Sequence, residues 1–223
     1  MKRGFELIKK SFISLGMVLL FISMFASTSF AASEGAVKTV TNNKSYTGIT
    51  ADIVLPTSIR VNSGYVNWYL GIGAAKVEGG ISKTPTGYKV FLNTGYNESS
   101  QNSKYWNSQF DSTINDGDRV NLKLVNNGDG TISMYVNGNL RYKQPVYGTL
   151  GLYEQVKMVQ GVEDNGTNSF SQASFSNVQL RANTTGSVYH KWDGTIPSTF
   201  SRYGSYGSDF YVYSQVPLSS KLR

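Results

Sequence analysis

The chain has 223 residues, with 21 lysines and arginines against 14 aspartates and glutamates, and a formal net charge of +7. It has no cysteine, which excludes disulfide bonds, thiol catalysis and cysteine-ligated metals, and its one histidine, His190, excludes a pair of histidine ligands. The first thirty residues contribute +3 of the charge, so the rest of the chain carries +4 in dispersed form. Nucleic-acid-binding proteins usually carry a clustered basic surface, so we expect no nucleic-acid partner.

The N-terminus has the features of a processing segment. Four basic residues among the first ten precede an uncharged apolar run from Phe12 to Phe25. Ser29 and Ala31 then supply the small residues of a cleavage site, which is the order of a secretory signal peptide. The run is shorter than the roughly 20 apolar residues that a membrane-spanning helix needs. Residues 1–31 are therefore predicted to be removed, leaving a secreted protein, free in the medium or associated with the cell wall, without a membrane span.

Alternation of apolar and polar residues with a period of two dominates the chain from residue 32 onward. In the clearest run Val66, Trp68, Leu70 and Ile72 share one face, which predicts a strand with Trp68 buried in the core. Clusters of Asn, Asp and Gly separate such runs and are typical of hairpin turns. Further runs of this kind are 49–55, 89–93, 119–124, 131–136, 156–162 and 173–180. The pattern predicts an all-β protein built from two antiparallel sheets.

One predicted hairpin carries a family resemblance. Its first strand is Gly117–Leu124, and its second, Gly130–Gly138, ends on Tyr-Val-Asn-Gly. This pattern resembles the central hairpin of concanavalin A-like jelly rolls, which include laminin-G-like and legume-lectin-like domains. The resemblance covers about residues 34–182 and implies a concanavalin-like jelly-roll β-sandwich over residues 32–182, although a fold does not specify an activity. The whole chain also resembles a secreted protein of Gram-positive bacteria, which implies export.

The last forty residues differ in composition from the rest. Residues 183–223 are rich in aromatic residues, glycine and serine, and within them Asp209–Val216 alternates as one more strand. We predict an extension that packs on the sandwich and completes a sheet edge. The alternative is an adhesive or ligand-contacting extension.

The face of the central strand opposite Trp68 suggests a binding surface. Sugars present an apolar face and a hydroxylated rim, so they bind where aromatic rings lie beside amide or charged groups. The sequence therefore predicts a lectin-like protein that binds a polysaccharide or cell-wall polymer without catalysis, and the alternative of a structural envelope or matrix protein stays open. The candidate ligand-binding residues are Tyr65, Asn67, Tyr69, Phe91, Asn93 and Trp106.

A secreted glycoside hydrolase is the enzymatic alternative. Glycoside hydrolysis needs two carboxylates at a separation of roughly 5–9.5 Å. Glu78 and Glu163 are the pair that a sandwich would bring together most readily, although the Glu-x-Asp-x-x-Glu signature of sandwich glucanases is absent.

No cofactor is predicted, with calcium as an open alternative. Asp116, Asp118, Asn127 and Asp129 carry the oxygen ligands that Ca²⁺ prefers. The same residue types are common in tight turns, and these four lie in predicted turns.

Overall fold

The structure is a computed structural model, and it describes residues 33–73, 76–95, 104–182 and 188–223. The predicted signal peptide, residues 1–31, lies outside the described residues. Among the residues that are described, no helix is long and apolar enough to cross a membrane. A 3₁₀ turn covers Gly207–Asp209. The described strands are β1 (Ser33–Thr41), β2 (Gly48–Val54), β3 (Ile59–Arg60), β4 (Tyr65–Ile72), β5 (Val77–Thr84), β6 (Gly87–Asn93), β7 (Trp106–Phe110), β8 (Arg119–Asn126), β9 (Thr131–Val136), β10 (Asn139–Pro145), β11 (Val156–Asp164), β12 (Ser169–Arg181), β13 (Tyr189–Lys191), β14 (Ser198–Gly204), β15 (Phe210–Gln215) and β16 (Leu218–Leu222).

The strands form two antiparallel sheets. The first sheet has seven strands in the order β14-β1-β11-β4-β5-β6-β7. The second sheet has the order β10-β9-β8-β2-β12-β16-β15, and β3 and β13 also pair with β12. The predicted all-β class with two antiparallel sheets is confirmed. The hairpin that carried the family resemblance is also present, because β8 and β9 pair antiparallel.

The core lies between the inner faces of the two sheets and follows the alternation of the sequence. Trp68 is fully buried, as predicted, and the other inner residues of β4 are buried with it. The Trp68 ring meets the Phe170 ring edge-to-face at 5.3 Å, and Phe170 meets Phe210 in the same way at 6.0 Å. These rings join the middle of the first sheet to β12 and β15 of the second. Such aromatic contacts add to the stabilisation from buried apolar area.

The C-terminal residues add strands to both sheets. In the first sheet β14 pairs with β1, and in the second β16 pairs with β12 and β15 with β16. Trp192 is fully buried in the core and donates its indole N–H to the Ser198 hydroxyl at 3.0 Å. Because β14 lies at the edge of the first sheet, this part of the tail widens the sheet instead of lying across its outer face.

Candidate functional site

A groove of about 660 Å³ lies on the outer face of the first sheet. Its floor and walls come from β1, β11, β4, β5, β6 and β7, and Tyr203 of β14 closes one side. Side chains on a strand alternate between faces, so the residues that face the groove are those between the core residues. On β4 these are Tyr65, Asn67 and Tyr69, the residues opposite Trp68. The groove is within the size range of small-molecule sites.

The structure brings all six predicted ligand-binding residues to this one groove. Tyr65, Asn67 and Tyr69 line it from β4, Phe91 and Asn93 from β6, and Trp106 from β7. Trp106 is the first residue of β7. The role of these residues in binding stays a prediction.

Three of these residues form a continuous aromatic shelf, which consists of Tyr69, Phe91 and Trp106. The Tyr69 and Phe91 rings meet edge-to-face at 5.9 Å, and Phe91 stacks on Trp106 at 5.8 Å with an interplanar angle of 25°. Tyr69 and Trp106 are half-buried and Phe91 is 6% exposed, so the shelf presents mainly its two outer rings. Offset and edge-to-face contacts of this kind fix the rings in place.

Gly80 makes the shelf possible. It lies on β5 between Tyr69 of β4 and Phe91 of β6, and it pairs with both. A Cβ at this position would come within 2.4 Å of the Tyr69 Cβ and 2.3 Å of the Trp68 carbonyl oxygen. Glycine therefore leaves the space through which rings two strands apart reach each other.

The tyrosine phenols of β4 lie near carboxylates, Tyr69 near Glu78 and Tyr65 near Glu163. Burial raises the pKa of both phenols above the ordinary value of 10.0, and the neighbouring carboxylate charges raise the pKa further. Both phenols are consequently protonated at neutral pH, so they act as hydrogen-bond donors and not as bases.

Glu78 is also the partner of a buried lysine. The Lys157 ammonium lies 2.5 Å from a Glu78 carboxylate oxygen, and the Lys157 side chain is only 8% exposed. The same ammonium lies 5.6 Å from the centre of the Tyr69 ring. The ion pair with Lys157 gives Glu78 a partner within the protein, as is typical of a structural carboxylate.

The two glutamates of the enzymatic alternative are attached at distant backbone positions. Glu78 pairs across β5 and β4 with Gly71, whereas Glu163 pairs across β11 and β4 with Tyr65. Gly71 and Tyr65 are six residues apart on β4, so about 20 Å separates the two backbone positions along the strand. Both carboxylates act on the Tyr65 phenol, so their side chains extend toward each other, and the hydrolase pair stays a prediction.

Several groove residues have no counterpart in the sequence-based prediction. Lys157 and Gly161 face the groove from β11, and Glu34 and Lys38 face it from β1. The alternation of β11 contained the signal for Lys157, because it lies between the buried Val156 and Met158. In β1 the signal was weak, because the buried face carries Gly, Val and Thr, with only one sizeable apolar residue.

The residues of the calcium alternative have turn partners. Asp118 accepts the Asn115 backbone N–H at 2.7 Å, and Asp129 accepts the Thr131 backbone N–H at 3.0 Å. Asp116 accepts the Tyr88 hydroxyl at 2.8 Å. Among the described residues, no group of three or more His, Cys, Asp or Glu side chains is placed to hold a metal ion. Calcium binding stays untested.

Comparison with known proteins identifies similar folds but no family. No protein-family model and no curated protein matches the chain. Among solved structures, Scytalido-glutamic peptidase with a peptide-based transition-state analogue has a TM-score of 0.53 at 11% identity and covers 86% of this chain and 98% of its own. SCP-B, a member of the eqolisin family of peptidases, has a TM-score of 0.50 at 8% identity with the same coverage.

A galectin from the ball sponge Cinachyrella sp. matches at a TM-score of 0.41 and 14% identity, covering 65% of this chain and 99% of its own. At these identities the two peptidase structures show a common fold and not a common activity. The chain is a jelly-roll β-sandwich. The resemblance of the whole chain to a secreted Gram-positive protein stays a prediction.

Proposed function

We propose that the protein is a lectin-like binding protein that holds a glycan or cell-envelope polymer in the groove and leaves it intact. The observation that carries the proposal is the aromatic shelf, because its rings lie in a groove whose other walls are polar. An aromatic ring stacks on the apolar face of a sugar, and neighbouring amides and charged groups bind the hydroxyls.

The dimensions of the shelf suit more than one sugar ring. The ring centres of Tyr69 and Trp106 lie 5.9 Å and 5.8 Å from that of Phe91, on strands three spacings apart, so the three rings extend along the groove. Polar groups lie along it: Asn93 is opposite Trp106 on the neighbouring strand, and Ser108 is opposite Phe91. An extended polymer crossing the strands would therefore meet a ring and a hydrogen-bonding group at successive positions.

Hydrolysis in the same groove is a second candidate. The observation that favours it is a pair of adjacent carboxylates, Glu34 on β1 and Glu163 on β11, which lie directly opposite each other. Two fold neighbours are named as peptidases, so a peptide bond is tested as a target beside the glycosidic bond. The proposed binding function predicts that neither bond is broken.

The proposal places the protein outside the cell, as the N-terminal residues led us to expect. The test is N-terminal sequencing of the protein from culture supernatant, which should begin at Ala32. Recovery only from membranes with Met1 intact would contradict export.

The test of binding compares two aromatic truncations. Trp106→Ala removes the outer ring of the shelf, whereas the control Tyr213→Ala removes a ring that is 49% exposed on β15 of the second sheet. We expect Trp106→Ala to reduce retention on a panel of insoluble polysaccharides and purified cell walls about tenfold, since one stacking contact contributes about 1–1.5 kcal/mol. Tyr213→Ala should bind as the wild type does.

The same samples are assayed for released sugars and released amino groups. Release that disappears in Glu163→Gln would overturn the proposal in favour of a hydrolase. If both aromatic variants are retained equally, the groove is not the binding site. No retention of any polymer, together with self-assembly of the protein, would favour the structural alternative.

A further inference from the structure

The groove contains a hydrogen-bond acceptor without a donor. The side-chain oxygen Oδ1 of Asn67 is buried and has no hydrogen-bond partner among the described residues. Asn67 lies opposite Gly161 of β11, where a Cβ would come within 2.5 Å of this oxygen, so the glycine leaves room for the amide. A buried acceptor without a donor is unfavourable by about 1–3 kcal/mol, and a ligand that supplies the donor removes that penalty.

Two glutamates occupy neighbouring positions on the same outer face of the sheet. Glu163 follows Gly161 by two residues on β11 and so shares its face, and Glu34 of β1 lies directly opposite Glu163. Like charges that are directly opposite on neighbouring strands repel each other. Within the described part of the chain, no lysine or arginine nitrogen lies within 4.0 Å of either carboxylate. We call Asn67, Glu34 and Glu163 the acceptor corner.

The lysines that line the groove, and Arg202 of β14, have other positions or other partners. Lys157 pairs with Glu78, and the Arg202 guanidinium donates to the carbonyls of Gly207 and Phe210 at 2.7 Å each. Lys38 is four residues from Glu34 on β1, which is about 13 Å along the strand. Lys89 of β6 is three strand spacings from β11, which is about 14 Å across the sheet. The acceptor corner is thus negative, whereas the other charged residues that line the groove are three lysines and Glu78.

We propose that the acceptor corner binds a protonated primary amine carried by the polymer, which makes the ligand a glycan containing amino sugars with free amines. The inference rests on the proposed function. An ammonium group has three donors and no acceptor, so it matches two carboxylates and an amide oxygen. A hydroxyl brings no charge to balance the carboxylates, and an acetylated amine has lost its charge.

The spacing of the corner and the shelf sets the length of the ligand. Tyr65, which is opposite Glu163, and Tyr69 of the shelf are four residues apart on β4, or about 13 Å. A single sugar ring does not span that distance, so an oligosaccharide is needed to use both. Glu163 is half-buried and Glu34 is exposed at the rim, so Glu163 should contribute more, since exposed charges are screened by solvent.

The experiment is calorimetric titration of the protein with two β-1,4-linked hexasaccharides, one of glucosamine and one of N-acetylglucosamine. They share a backbone and differ in the charge of the amine. We expect the glucosamine hexamer to bind about 10- to 100-fold more tightly, which corresponds to one or two charge-assisted hydrogen bonds. Glu163→Gln should abolish most of this preference and Glu34→Gln part of it, while Trp106→Ala should weaken both hexamers alike.

The controls separate this inference from the proposed function. Unchanged melting temperatures of the Gln variants would show that the fold is intact, as expected because Gln has the same size and shape as Glu. Equal binding of both hexamers, or binding only of neutral polymers from the polysaccharide panel, would overturn the amine inference and leave the proposed function standing. Binding of no glycan would overturn both. Titration with CaCl₂ alone is the last arm, and a calcium site lost in Glu163→Gln would also overturn the inference.

Discussion

The outer faces of the two sheets follow the same alternation of apolar and polar residues, but their polar groups differ in whether they have hydrogen-bond partners within the protein. On the second sheet, the Asp52 carboxylate accepts hydrogen bonds from Asn121 at 2.8 Å and Asn177 at 2.7 Å, with Arg119 at 3.4 Å. The polar groups of that face therefore satisfy one another. On the first sheet, the buried oxygen of Asn67 has no donor among the described residues, and aromatic rings line a groove.

This difference indicates which face would give a ligand the larger free energy of binding. Polar groups that already have partners give a ligand little, because each new hydrogen bond replaces an existing one. In the groove, a ligand would supply a missing donor at Asn67 and stack on the aromatic shelf. The fold explains why both faces exist, and the groove combines an acceptor without a donor with a shelf of aromatic rings.

The largest expected effect tests the core that both faces share. Trp68→Ala should lower the free energy of unfolding by about 3–5 kcal/mol, because the ring is fully buried and the cavity left behind would not close. Trp106→Ala is the matched control, and because that ring is half-buried we expect a loss of about 1 kcal/mol or less. Urea denaturation followed by circular dichroism measures both. Similar losses for the two variants would contradict the assignment of inner and outer faces.

The next effect concerns the floor of the groove. Gly80→Ala should lower the free energy of unfolding by about 1–3 kcal/mol, because the new methyl group would meet Tyr69 and the Trp68 carbonyl oxygen. The same change should weaken polymer retention, since it pushes Tyr69 away from Phe91. Gly194→Ala is the control, because its Cβ would have nothing within 4 Å. If the two alanine variants unfold at the same urea concentration, the inference that a methyl group at position 80 is too close to its neighbours is wrong.

The smallest expected effect concerns the outer face of the second sheet, where polar groups bond to one another. Burial pushes the pKa of Asp52 upward, but hydrogen bonds from Asn121, Asn177 and Arg119 outweigh it, so the pKa lies below its ordinary value of 3.8. The contribution of Asp52 to stability is then present above the unfolded pKa and is lost as the pH falls through the folded pKa. Asp52→Asn should lose about 1 kcal/mol or less at neutral pH and show a weaker acid dependence. Parallel curves of stability against pH from 6 to 2 for the two proteins would rule this out.

The sequence predicted the inner faces well because burial imposes the alternation directly. The runs around Trp68, Leu122 and Met134 are strands with buried apolar sides. Strand β5 was not predicted, since its sequence Val-Glu-Gly-Gly-Ile-Ser-Lys-Thr has two glycines in place of large apolar residues. That missing strand supplies Gly80, which the aromatic shelf needs.

The candidate site was predictable only in part. The outer residues of β4 and β6 follow from the alternation, and they line the groove as a set. Which of them touch depends on the order of strands in the sheet, and a hydrophobic pattern does not encode that order. The sequence therefore did not predict that Glu34 lies opposite Glu163, or that Glu78 of β5 lies opposite Gly71 of β4.

Fluorescence quenching by acrylamide tests the central claim most directly. The chain has three tryptophans, of which Trp68 and Trp192 are fully buried, so Trp106 is the one that a quencher reaches. We predict that a polymer retained by the wild type protects its fluorescence from acrylamide, and that Trp106→Phe shows neither the quenching nor the protection. Retention of the polymer with unchanged quenching of Trp106 would place binding outside the groove and contradict the account.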